Sequence, residues 1–463
     1  MQPQTEAERA WPPTPEMEPG IETTGEARWN LPQRVVFRFL FSYFVLFFLT
    51  GQEIGAIPFT TPLIERYTRL WYGIAVWTAR HLLHLRYDFP MNGDGSGDTT
   101  FQWILLPCYL ALAGVITVLW SVLDRKRPDY KRLYACLRFL LRFSLALAMI
   151  TYGLIKVIPN QMPSPRSFTL LQRVGQLTPM RLLWTLMGAS PAFQTFSGLA
   201  ELLAGVLLLV PRTVLLGSLI CAGDMTMVFM MNMGYDVPVK IMSFHYLVMG
   251  LLLVAPDLPR LTGLFLFNRP VEPAEARPLF ARRQLDQAVQ ILFALFGLYM
   301  IGMNIQEGIH LHKERNPPRP PLYGVWSVDE IAVDGQDVPL ASDTATDRWR
   351  WVTLEKPGEM RLELKTGTRE SYAIKLDEAG KRMTLAKYQK DPQGKPVLDK
   401  AGKPQKDPSW QGSLSFNEPE TDVLVLDGIL DGHRTHAKLV KMPLIGKGFH
   451  WVLDPPKEVR SAK

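Results

Sequence analysis

The sequence predicts a membrane α-helical bundle of about seven transmembrane helices followed by a soluble all-β up-and-down barrel. Three observations predict it. Long apolar runs dominate the chain up to about residue 305, short alternating segments rich in Lys, Asp, Gly and Pro fill the remainder, and a Pro-rich stretch, ERNPPRPPL, lies between them. The averages conceal this division: hydrophobic residues are 47% of the 463, and mean hydropathy is only +0.02. A chain of this length accommodates two or three domains. The boundaries read as a cytoplasmic tail over 1–33, a helical domain over 34–310, a linker over 311–321 and a β domain over 322–455.

The first thirty residues are Pro- and Glu-rich, as in AWPPTPEMEPG, and read as a disordered tail. No short apolar core follows a basic start, and no small-residue cleavage site follows the first long run. That run is therefore an uncleaved anchor and not a signal peptide. A hydrocarbon core takes roughly 20 helical residues to cross. Runs suited to it lie at 35–57, 102–122, 134–158, 193–210, 213–233, 237–255 and 285–304. Between the first two, RYTRLWYGIAVWTARHLLHLRYDF (66–89) sets Leu70, Ile74, Trp77, His81 and His84 at helical spacing beside Arg and Tyr. This predicts an amphipathic helix on the outer membrane surface. The loop MNGDGSGDTT (91–100) imitates an EF-hand through Asn92, Asp94, Ser96 and Asp98, but Trp103 stands where the bidentate Glu belongs. A Gly-rich turn is the better reading.

Orientation follows from Lys and Arg. The loop DRKRPDYKR (124–132) and the segment 256–284, with Arg260, Arg269, Arg277, Arg282 and Arg283, fall on one side of seven crossings. That side is expected to be the cytoplasm, with the β domain outside a bacterial-type inner membrane and the bilayer as the first partner. The net charge of +7 belongs mostly to these membrane-flanking residues, so a nucleic-acid partner is not expected. Cys108, Cys136 and Cys221 all sit in predicted spans, far apart and without a C-x-x-C, and read as small packing residues.

Charges inside the spans are the candidate functional groups, because a charge at bilayer depth costs on the order of 2.5–3.5 kcal/mol and must find a partner. Glu201 stands within FSGLAELLAGVLLLV (196–210), and Lys156 ends MITYGLIK at a similar depth in the preceding span, so the two are expected to pair. A second pair would join Arg142 to Asp224. The turn NMGYDVPVK adds Asn232, Tyr235, Asp236 and Lys240, with His245 beyond it, and the grouping suggests a polar pocket opening outward. The alternative is that these groups only pair to fix helix register, and that Tyr235, Asp236 and Lys240 simply lie at the interface. His245 has no second His at metal-ligand spacing, and no metal is expected.

The runs RFLLRFSLALAMITYGLIKVIP (138–159), SGLAELLAGVLLLVPRTVLLGSLICAGDMTMV (197–228) and SFHYLVMGLLLVAPD (243–257) resemble the DoxX family of small four-helix membrane proteins. The resemblance is carried by the Tyr-Gly-x-x-Lys helix end, the Glu-x-x-x-Gly helix closing at Pro211-Arg212, and the helix pair that follows. It places a DoxX-like core at about 134–257, spans three to six, and matches Lys156 and Glu201 to pattern positions. The family is linked to thiosulfate:quinone oxidoreductase subunits and to oxidative-stress assemblies. The resemblance thus implies a quinone as cofactor and a redox subunit as partner. Two earlier spans, one later span and the β domain are additions to the family pattern.

The β domain opens on YGVWSVDEIAVDGQ and continues through RWRWVTLEK, EMRLELKTG, ESYAIKLDE, KRMTLAKYQ, GSLSFNEPE, DVLVLDGILDG and THAKLVKM. These are about eight strands with short turns, which predicts the barrel. Gly324-x-Trp326 at its head resembles a lipocalin-like start, and a Trp plugging the floor of any small barrel reads equally well. The insert QKDPQGKPVLDKAGKPQKDP (389–408) is a low-complexity hairpin tip. Walker A, G-x-S-x-G, H-E-x-x-H and Rossmann signatures are absent from the sequence. Two function classes remain: an accessory or catalytic subunit of a quinone-linked membrane redox assembly, or a non-enzymatic binder or carrier of a lipophilic molecule.

Overall fold

The computed structural model describes residues 29–49, 60–86, 88–91, 97–273, 278–338, 348–391, 397–399, 402 and 404–443. The expected disordered tail lies outside these residues except for its last positions. So do the centre of the 91–100 loop, part of the 389–408 insert and the end of the β domain toward 455. Among the described residues seven helices are long and apolar enough to span a membrane, in the places the hydropathy pattern predicts. The chain divides into two units, one of residues 1–144 with 272–287 and one of 145–271 with 288–463.

In the first unit, α1 (Leu31–Phe48) starts with a capping box in which Asn30 and Gln33 exchange side-chain and backbone hydrogen bonds. It packs on α3 (Thr100–Leu123). The contact is built around Arg38, buried to 1% exposure. Its guanidinium donates to Tyr130 Oη at 2.7 and 3.1 Å, to Ser121 Oγ at 2.8 Å and to the Asp124 carbonyl at 2.8 Å. Tyr130 in turn donates to Asp124 Oδ2 at 2.9 Å. A buried guanidinium is tolerable only when most of its donors are satisfied, and here they fasten the basic 124–132 loop to α1. The amphipathic helix expected over 66–89 is α2 (Thr61–His81), which ends before His84. It turns Trp71, Ala75 and Ala79 inward, Trp71 meeting Tyr109 edge-on at 4.5 Å, and leaves Leu70, Ile74 and Trp77 exposed. That outward apolar face is the one an interfacial helix buries in lipid.

The helix α4 (Lys131–Val157) runs from the first unit into the second. The second unit then contains two short helices, α5 (Ser167–Leu171) and α6 (Pro179–Gly188). The spans α7 (Pro191–Leu209), α8 (Val214–Gly234) and α9 (Lys240–Val254), and the short α10 (Leu258–Phe265), follow. The last span, α11 (Arg283–Arg315), extends past its apolar run through GIHLHKER and stops before Pro317 and Pro318, whose rings disfavour helix in the preceding residue.

The barrel has eight long strands, β1 (Gly324–Val333), β3 (Trp349–Lys356), β4 (Glu359–Leu364), β5 (Arg369–Asp377), β6 (Arg382–Lys387), β7 (Gly412–Glu420), β8 (Val423–Leu430) and β9 (His433–Lys441). The two-residue β2 (Gln336–Asp337) folds back on β1. Each long strand pairs antiparallel with the next and β9 closes on β1, so no long edge is left open. Asp431-Gly432, both with positive φ, makes the tight β8–β9 hairpin. The interior is filled by Trp326, Met360, Tyr372, Met383, Leu385 and their neighbours. Trp326 is 1% exposed and donates from Nε1 to the Leu322 carbonyl at 3.0 Å, so the Gly-x-Trp start places its ring inside the core.

At one end of the barrel His433 Nδ1 lies 2.7 Å from Asp334 Oδ2. This hydrogen bond raises the His433 pKa above its usual 6.5 and lowers that of Asp334 below 3.8. The histidine's contribution to stability is complete below its unfolded pKa and is lost as pH rises through the folded one. The aspartate's is present above its unfolded pKa and lost as pH falls. A segment of residues 322–455 expressed alone should show β-type circular dichroism and a cooperative melt. In it the His433 imidazole should titrate above 6.5 by NMR and return toward that value in Asp334→Asn. An unfolded segment, or a His433 midpoint indifferent to Asp334, would contradict this description.

Candidate functional site

The site is set by how closely α4 and α7 approach. A Cβ at Gly198 would lie 2.6 Å from the Gly153 carbonyl oxygen and 2.7 Å from Lys156 Cβ. One at Gly153 would lie 2.6 Å from Leu202 N, and one at Gly205 would lie 2.9 Å from Ile150 N. Three glycines thus bring two helix backbones into contact, the small-residue packing of membrane helices. Lys156 follows Gly153 by three residues and Glu201 follows Gly198 by three, so the same crossing turns both side chains to one place. Lys156 Nζ donates to Glu201 Oε1, and the residues are 5% and 1% exposed.

The pair forms part of the wall of a cavity with about 690 Å³ of atom-free space, its mouth included. Six methionines line it, Met149, Met162, Met187, Met225, Met231 and Met242. Polar groups enter from Tyr152, Tyr246, Ser197, Ser243 and Asn232. Asn232 is held by its own bond to Ser243 Oγ at 2.9 Å. Thioether side chains are flexible and polarisable and adapt to varied apolar shapes.

One side of the cavity is closed by the α5–α6 segment through Met162, Leu183, Trp184 and Met187, of which Met162, Leu183 and Met187 pack with Val237 of the α8–α9 turn. This cover is anchored at its start. The fully buried Gln194 accepts from Met162 N and donates to the Met162 carbonyl, both at 2.9 Å. Asn160 donates to the Gly308 carbonyl at 2.8 Å, and Arg315 donates to the Asn160 carbonyl at 2.6 Å, tying the same end to α11. Ser167 donates from its backbone N–H and its hydroxyl to Glu355 on β3, so the cover is also bound to the barrel.

Of the residues picked out in the sequence, the structure brings Lys156, Glu201 and Asn232 together around the cavity. Tyr235, Asp236, Lys240 and His245 are not among its lining residues. Tyr235 is 37% exposed, and Asp236 pairs with Lys240 at 2.8 Å on the turn between α8 and α9. His245 is buried in α9 with Nδ1 2.6 Å from the Ile241 carbonyl, a packing position. Arg142 belongs to the first unit and Asp224 to the second. Sequence reasoning missed Trp184, Gln194, Tyr152, Tyr246 and the methionines. The density of methionine in MTMVFMMNM (225–233) was the available signal.

Over 150 residues, 30% of this chain and 87% of the relative, the chain is 31% identical to the uncharacterized protein YwoB of Bacillus subtilis (strain 168). The chain belongs to the YwoB family. No family model matches it, and no solved structure does. The name YwoB carries no activity, so function in this YwoB-family chain has to be read from the cavity.

The crossing can be tested directly. Gly198→Val should lower the detergent melting temperature by an amount equivalent to about 1–3 kcal/mol or more, since the overpacked atoms are backbone. Gly223→Ala, where a Cβ meets nothing within 4 Å, should be neutral or slightly stabilising. Equal effects at the two glycines would refute the close approach.

Proposed function

We propose that this is a DoxX-like integral membrane protein that binds or carries a lipophilic molecule in its bundle cavity, without covalent chemistry of its own. The observation that carries the reading is the composition of the cavity wall: a Met-rich apolar surface around a single buried ion pair. Predominantly apolar walls with a few convergent polar groups are the ordinary make-up of small-molecule sites. The cover over the cavity belongs to the same unit as the barrel and is tied to it through Ser167 and Glu355. Movement of that cover is the simplest route by which a ligand enters or leaves. The basic loops orient the N-terminus to the cytoplasm and the barrel to the outside of an inner membrane, and entry is then from the outer leaflet or the external face. The barrel's interior is filled with side chains, so in this reading the bundle holds the ligand and the barrel supports the cover.

Mass spectrometry of extracts from detergent-purified protein should find a lipophilic species retained in near-stoichiometric amount. Val228→Trp, which projects a large ring from the cavity wall, should remove that species while the barrel's β signal and the melting cooperativity persist. Retention unchanged in Val228→Trp would show that the molecule sits on the lipid-facing surface and would sink the proposal.

A further inference from the structure

The cavity's charged groups define which head group it takes. Among the described residues Lys156 and Glu201 are its only charged lining residues, and they are paired with each other, so this wall carries no net charge when both are ionised. The pairing uses one carboxylate oxygen. The other, Glu201 Oε2, is buried and has no hydrogen-bond partner among the described residues. Glu201 is itself 1% exposed, so this is an acceptor withdrawn from solvent and left unused. An unmet buried acceptor is costly, the more so when charged, which makes it a place where a ligand's donor is rewarded.

An ionised carboxylate can only accept, and an ammonium can only donate, with three N–H groups of which the Glu201 bond uses one. The site thus offers an acceptor and a donor side by side. A ligand carboxylate would suit Lys156 but set a second negative oxygen against Glu201 Oε2. It would also be repelled by nearby Asp224, which interacts electrostatically with both members of the pair. A ligand amine would suit Glu201 but set an ammonium against Lys156. An ether or ester can accept from Lys156 but leaves Glu201 Oε2 unmet. Of these head groups only a hydroxyl does both, donating its hydrogen to Glu201 Oε2 and accepting from Lys156 Nζ. The six methionines then receive an apolar tail of loosely specified shape.

We infer that the bundle cavity selects an uncharged amphiphile with a hydroxyl head group, recognised by Glu201 Oε2 as acceptor and Lys156 as donor. This rests on the reading of the cavity as a lipophilic binding site, and the test separates the two. Full-length protein in nanodiscs is presented with three radiolabelled probes sharing one tail: 1-hexadecanol, palmitate and 1-methoxyhexadecane. Hexadecanol should bind at least about tenfold more tightly than either of the others, since a site built to receive a hydroxyl rejects analogues that lack it. In the Lys156→Met/Glu201→Leu double variant the alcohol and the ether should bind alike. Val228→Trp should abolish binding of all three.

Alcohol and ether bound equally by the unaltered protein, with both lost in Val228→Trp, would overturn the head-group inference and leave the cavity reading standing. Palmitate bound most tightly would overturn it in favour of Lys156 as an anion anchor. No binding of any probe, or binding indifferent to Val228→Trp, would bring down both.

Discussion

Where α4 crosses α7 the two backbones touch, and most of what is distinctive in the second unit depends on that contact. Gly153, Gly198 and Gly205 leave no side chain between the helices, so Lys156 and Glu201 meet as a consequence of backbone geometry. In a bilayer this order of cause is physically sensible. Packing of small residues brings helices together without a hydrophobic driving force, and two opposite charges that would each be costly alone are delivered to one another. Thr195 adds a hydrogen bond to the Val157 carbonyl at the end of the crossing, 3.3 Å long. Gly217 extends the tight packing outward where α8 lies on α7, and α9 lies on α8 in turn.

The cover completes the site because its polar backbone has been provided for. A connecting segment at the edge of a membrane carries N–H and C=O groups that no helix satisfies. Gln194 meets both such groups of Met162, and Asn160 with Arg315 links the start of the segment to α11. At Gly188 the end of α6 approaches Pro163 so closely that a Cβ would lie 2.3 Å from its carbonyl oxygen, which folds the segment back on its own start. The barrel supplies a further attachment through Glu355.

The spans and strands were legible in the sequence because they rest on periodicity and length. Seven apolar runs became seven helices and eight alternating segments became eight paired strands. Lys156 with Glu201 was legible because depth along two consecutive spans can be counted. Rotation about the helix axis cannot be counted in that way, and the errors of grouping came from it: Asp236 and Lys240 share the depth of Asn232 but sit on an exposed turn, while His245 faces packing. The cover was invisible for a different reason. Residues 163–188 have neither the length of a span nor a strong alternation, and their position is fixed by long-range contacts with Gln194, Val237 and Glu355. The buried Arg38 clamp was likewise unreadable, since its partners lie more than 80 residues away.

The helix crossing seats Lys156 and Glu201 as a buried, mutually dependent pair, and a double-mutant cycle on thermal unfolding in detergent tests this most directly. Lys156→Met and Glu201→Gln should each destabilise by roughly 3–5 kcal/mol, because each leaves one buried charge uncompensated, and the double variant should recover part of the loss. Losses that simply add in the double variant would show that the two residues do not interact, and the account built on their pairing would fail.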